Sequence, residues 1–238
     1  MASVRARAGL IGAIMLSGLI SGCSGAEQTP QEAMEQFTAE QIFERGEFEL
    51  ASRDPEKAED LFAEVERLYR YSELAKRALI MQAFSFNQHT DYESSRAAAQ
   101  RYIDFYPADE DAAYAQYLLA LSYYDQIDEV GRDQGLTFQA LQSLRTVIEL
   151  YPNSEYARSS MLKFDLAFDH LAAKEMEIGR HYERSGKWIA AQIRFQNVDD
   201  NYEITSHAPE ALYRLTETSL APGIPAEAVK YAAVLGAN

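Results

Sequence analysis

Residues 178–195 read IGRHYERSGKWIAAQIRF, and their spacing decides the fold. Gly179 and Ala191 stand twelve positions apart, and Phe195 follows the alanine by four. Gly186 separates two stretches whose apolar residues recur every three or four positions, so the segment reads as helix, tight turn, helix. Small residues at 179 and 191 let the helices approach closely, and Phe195 interlocks beside them. The skeleton recurs along the chain. Gly46 precedes Ala58 by twelve, with Phe62 four later, and Ala83 precedes Ser95 by twelve. The steps from Ala58 to Ser95 and from Ala191 to Ala228 are both 37. Proline disfavours helical geometry in the residue before it, so Tyr106-Pro107 and Tyr151-Pro152 end second helices.

A leading apolar residue and glycine, a tyrosine three positions on, then Ala-x-x-x-Phe is the tetratricopeptide (TPR) pattern. The expected fold is therefore all-α: an α-solenoid of about five TPR helix pairs. A plain helical bundle shares the periodicity but not the repeated intervals. Two departures stand out. In the third unit Ala120 to Ala140 spans twenty positions instead of twelve, placing an insertion of eight in the acidic stretch 124–140, which carries Gly131 and Gly135. In the fourth, a run capped by Asn153 or Ser154 carries Tyr156, Met161, Phe164, Phe168, Leu171, Ile178 and Tyr182 at helical spacing. It predicts one long helix to about Arg184. Residues 38–152 hold repeats one to three, and residues 153–238 hold repeats four and five.

The N-terminus has its own logic. Arg5 and Arg7 precede a 13-residue apolar run, Ala8–Ile20, which ends in Ile20-Ser21-Gly22-Cys23. A bilayer-spanning helix needs about 20 apolar residues, so this run is the core of a signal peptide. An aliphatic residue and two small ones before cysteine resemble a bacterial lipobox. Residues 1–22 are then the signal peptide, Cys23 the acylated mature N-terminus, and residues 23–37 a polar tether. An ordinary secretory signal with a chance cysteine is the alternative. One acyl chain binds only marginally, so stable anchoring needs two or more. Ser24, where enterobacterial lipoproteins retained in the inner membrane have Asp, favours the outer membrane. Cys23 is the only cysteine, which excludes an intrachain disulfide.

With 22 basic and 37 acidic residues the net charge is −15. That excludes a nucleic-acid partner, since phosphate contacts need a basic face. Residues 39–134 carry 10 basic and 21 acidic side chains, whereas residues 155–214 carry 8 and 10. Two halves of different charge suggest two different partners. No HExxH, G-x-S-x-G, P-loop or dinucleotide fingerprint occurs. His170 and His181 would lie about 16 Å apart on one helix, too far to share a metal. Glu56, Glu59, Asp60, Glu64 and Glu66 read as a solvated helix face. The chain is expected to be no enzyme and to need no cofactor and no metal. The 15 Tyr and 11 Phe are the stronger resource. First helices of such repeats line a groove, where Phe43, Glu47, Phe84, Asn87, Tyr117 and Tyr124 are candidates for binding an extended peptide. Inter-repeat packing is the alternative for each.

The lipobox, the five repeats, "RDQ" at 132–134, "YPNSEYA" at 151–157, "LAAKEMEIGRHYERSGKWIAAQIRF" at 171–195 and "PEALYRLTE" at 209–217 together resemble the BamD family. These are lipoprotein subunits of the outer-membrane β-barrel assembly machinery. Arg70 stands where that family usually has proline after tyrosine. The resemblance implies a scaffold on the periplasmic face of the outer membrane. Its N-terminal repeats would bind unfolded β-barrel clients, and its C-terminal repeats the POTRA region of a BamA-type barrel subunit. Other lipoproteins of the machinery are implied partners. The family's arginine for the POTRA contact falls on Arg194. A different lipid-anchored TPR adaptor, for pilus assembly or peptidoglycan enzymes, is the other reading.

Overall fold

The computed structural model describes residues 34–237, and among these ten helices follow one another with no strand. They pair as hairpins: α1 (Ala39–Ala51) with α2 (Pro55–Leu68), α3 (Glu73–Gln88) with α4 (Tyr92–Phe105), and α5 (Ala112–Tyr124) with α6 (Gly135–Leu150). Two more follow, α7 (Glu155–Arg184) with α8 (Trp188–Asn201) and α9 (Ala208–Leu220) with α10 (Pro225–Ala237). Each helix packs on its neighbours in sequence, and the first helices α1, α3, α5 and α7 also touch one another in succession. This is the all-α TPR solenoid. None of the described helices is long and apolar enough to cross a membrane.

The expected register holds at every repeat. Ala58, Ser95, Ala140, Ala191 and Ala228 occupy equivalent places on the second helices, and all are buried. Where α1 meets α2, a Cβ added to Gly46 would lie 2.7 Å from the Phe62 ring. Where α7 meets α8, one added to Gly179 would lie 2.4 Å from the Phe195 ring. Phe62 and Phe195 are fully buried, each sixteen positions after its glycine. In the second repeat alanines replace both partners, Ala83 and Ala99, and Ser95 Oγ donates to the Ala83 carbonyl at 2.9 Å.

Helix ends follow local chemistry. Thr38 and Gln41 form a reciprocal capping box on α1, and Ser72 and Ser154 cap α3 and α7. Tyrosines 69, 106, 151 and 202 terminate α2, α4, α6 and α8 in one shared conformation, with φ between −122 and −133. Only two of these precede proline, so the tyrosine position belongs to the repeat itself. The turn at Gly186 has φ +69, a left-handed conformation that favours glycine.

The insertion forms the loop between α5 and α6, and Lys174 of α7 holds it by donating to the Gly131 carbonyl at 2.7 Å. Helix α7 runs 30 residues from its Ser154 cap. Its N-terminal part, through Phe164 and Phe168 and on to Leu171 near the middle, packs on α6, and beyond that it packs on α8 through Ala172 and Met176. The signal peptide, Cys23 and tether residues 23–33 lie outside the described residues. The folded unit begins before Thr38, because Met34 packs on the first-repeat core and the Tyr69 hydroxyl donates to the Phe37 carbonyl.

A polar clasp joins the second and third repeats. Asp109, in the turn before α5, accepts from Lys76 Nζ at 2.7 Å and from the Tyr102 hydroxyl at 2.6 Å. Lys76, then Tyr102, hold its carboxyl down at about 2. A depressed carboxylate contributes stability above its unfolded value of 3.8, and loses it as pH falls from there towards 2. Asp109→Asn should therefore cost about 1 kcal/mol at pH 7, with the gap to wild type narrowing as pH falls from 3.8 towards 2 in denaturant titrations.

Two glycines give a second test with different causes. Gly179→Leu should cost about 1–3 kcal/mol by overpacking against Phe195. Gly186→Ala meets no atom within 4 Å, yet should cost about 1 kcal/mol through backbone strain alone. Thermal unfolding reads both, and an unchanged Gly179→Leu would contradict the interlock.

Candidate functional site

Two exposed regions of different chemistry carry the candidate residues. The first lies on the first helices of repeats one to four. Phe84 of α3 is half-buried against the core of the second and third repeats. Tyr117 and Tyr124 of α5 are half-buried beside Leu144 and Val147. Tyr156 of α7 completes a three-ring group, 5.0 Å from Tyr114 and 5.5 Å from Tyr117 between ring centroids. Burial pushes the Tyr114 hydroxyl up to about 12, so it stays protonated. Lys163 Nζ of α7 sits 5.1 Å from the Tyr124 ring centroid. Burial raises the Asp125 carboxyl, against the opposing effects of the Asn87 amide and the Lys163 charge. Asn87, Tyr124, Asp125 and Lys163 thus bring a mixed aromatic and polar edge together from three repeats.

Phe43 does not belong to this face, and its assignment to the groove is corrected. It is buried, with its ring 5.2 Å from Phe62 and the Arg77 guanidinium 4.8 Å from its centroid. Phe43 lies three residues before Gly46, one turn away on the helix side that the Phe62 ring reaches. Glu47 is exposed and makes a 3.8 Å ion pair with Arg77, linking α1 to α3.

The second region is the outer face of α8. Ile189 and Ile193 are 55% and 64% exposed, an uncommon state for two isoleucines one turn apart. With Arg194, Gln196, Asp200 and Glu175 of α7 they line a hollow of about 500 Å3. Arg194 Nη1 donates to both Glu175 oxygens, at 3.3 and 3.1 Å. A single nitrogen serves both acceptors. Arg194 is therefore a positioned cation beside an apolar patch.

The outer membrane lipoprotein family YfiO matches residues 35–235, nearly the whole repeat array. The chain belongs to this family, also named BamD. It is 40% identical to the outer membrane protein assembly factor BamD of Caulobacter vibrioides, over 96% of this chain and 75% of that protein. It is 38% identical to the protein of the same name from Rickettsia prowazekii, over 96% and 90%. A thermophilic TPR protein of Thermus thermophilus aligns with a TM-score of 0.43 and 17% identity, over 83% of this chain and 90% of that one.

Sequence reasoning placed the arginine of this BamD-family chain on α8 but missed its partner. Glu175 lies nineteen residues away on another helix, and no local spacing marks the pair. Lys163 was missed for the same reason, since only packing brings it over Tyr124. Arg194→Ala leaves the Glu175 side chain, 17% exposed, without its cation. The loss should be about 1 kcal/mol, since Arg194 itself is 39% exposed and partly screened. Adding Glu175→Gln should recover most of it in a double-mutant cycle.

Proposed function

We propose that this BamD-family member is a non-enzymatic periplasmic scaffold of outer-membrane protein assembly. The match of the repeat array to a family whose relatives are named assembly factors carries this reading. In it, Cys23 is acylated and holds the chain to the outer membrane. The N-terminal repeats receive unfolded β-barrel clients through the face around Phe84, Asn87, Tyr117 and Tyr124. The C-terminal repeats dock the POTRA region of a BamA-type barrel subunit through α8. Binding both at once brings a client to the site of its folding and insertion.

The physical support differs for the two ends. Half-buried tyrosines supply large contact area with little loss of side-chain freedom, which suits variable extended segments. The α8 face offers one oriented guanidinium amid exposed isoleucines, the mixture found where a preformed domain docks.

Co-purification from detergent-solubilised outer membrane tests the division. Arg194→Gln and Ile193→Ser should lose the POTRA-bearing subunit and keep crosslinking to a barrel-derived peptide. Phe84→Ala and Tyr117→Ala should do the reverse. Capture of the barrel subunit at wild-type level by both α8 variants would remove that surface from the contact. Cys23→Ala should leave the folded chain in the soluble fraction.

A further inference from the structure

The turns that join successive repeats share one edge of the solenoid with the start of the folded array. Each second helix ends where the next first helix begins, so residues 69–72, 106–111, 151–154 and 202–207 all lie at that edge, and α1 starts there too. The Tyr69 hydroxyl, at the first of these turns, donates to the Phe37 carbonyl just before α1, which fixes the chain's point of entry. One large apolar side chain stands in the open at each turn. Tyr71, Phe105, Leu150 and Ile204 are all exposed, Tyr71 at 98%, and Phe37 adds another at the entry point. Neither proposed surface uses these residues.

The first two turns form one patch. Arg70 lines a hollow with Tyr69 and Tyr71 on one side, and a second hollow with Arg101 and Phe105 on the other. The carboxylates around it are matched in place: Glu64 with Arg67 at 2.8 Å, Glu66 with Arg101 at 2.9 Å, and Glu73 with Lys76 at 2.9 Å. In a chain of net charge −15, the patch is therefore aromatic with a cation at its centre, not acidic. That chemistry suits a phospholipid headgroup layer. Aromatic rings with a polar tip favour the boundary between apolar and wet, and a guanidinium meets phosphate oxygens through paired donors.

Chain length says which surface lies within reach. Cys23 is eleven residues before Met34, so even a fully extended connection spans no more than about 40 Å. An acyl chain on Cys23 keeps the entry edge within that distance of the bilayer. A contact too weak to hold a free protein then suffices for an anchored one. We infer that the turn edge of repeats one and two docks on the phospholipid surface of the membrane that holds Cys23. Phe37, Tyr71 and Phe105 enter the headgroup layer, and Arg70 meets phosphate. The inference rests on the lipoprotein reading above and adds an orientation to it. The solenoid turns this edge to the bilayer, and the opposite edge, with Phe48 and the inserted loop, faces away.

Quenching by brominated phosphatidylcholine tests it. The chain from Cys23 onward keeps every described residue, and its single thiol couples it to vesicles that carry a maleimide lipid. Attachment then does not depend on acylation in the cell. Trp188, the only tryptophan, begins α8 at the opposite edge and gives the background. Tyr71→Trp and Phe105→Trp should each lose fluorescence in brominated vesicles relative to unbrominated ones. The unmodified chain and Phe48→Trp, at a side chain as exposed as Phe105 but on the opposite edge, should not. Adding Arg70→Glu and Phe105→Ser to Tyr71→Trp should restore the signal. All these side chains are exposed, so circular dichroism should stay unchanged. No loss at Tyr71→Trp, or an equal loss at Phe48→Trp, would overturn the docking surface alone. Intact mass of Cys23 in membrane-derived protein judges the lipoprotein reading separately. A dimer in solution that Tyr71→Ser and Phe105→Ser dissociate would assign the edge to a second copy and likewise overturn the inference.

Discussion

Close approach at Gly46 and Gly179 is the constraint on which the rest of the solenoid depends. At each place a phenylalanine ring occupies the volume a side chain would take, and the whole hairpin sets its spacing around that contact. Stacking such hairpins buries a continuous core without requiring distant parts of the chain to meet, as in other repeat proteins. The second repeat reaches the same end with alanines at both positions and a serine hydrogen bond between helices. One spacing rule thus tolerates different side chains at the same contact.

The long helix α7 breaks this regularity. It carries α6 towards its N-terminal end and α8 towards its C-terminal end, and so joins the two ends of the array. The Lys174 contact to Gly131 ties the inserted loop to the same helix. Here the departure separates an acidic aromatic half from a nearly neutral half that exposes isoleucines and an oriented arginine.

Charge pairing distinguishes the candidate surfaces more sharply than charge itself. Arg194 is held by Glu175, so its orientation is set before any partner arrives, which reduces the entropy lost on binding. Arg145 has only an aromatic face beneath it and no anion among the described residues.

Much of the architecture was determined by the sequence alone. The twelve-residue intervals, the insertion before Gly135, the long helix after Ser154 and the tyrosine stops all depend on helical period and local backbone preference, which act over a few residues. The family too was legible in contiguous motifs. Tertiary structure decided which faces those helices present. Phe43 was expected in a groove and is core, because a rotation set by the Phe62 contact turns it inward. Glu175 and Lys163 acquire their partners from other helices. Helical periodicity fixes a residue's angle around its own axis, but the neighbour that angle faces is chosen by packing between helices.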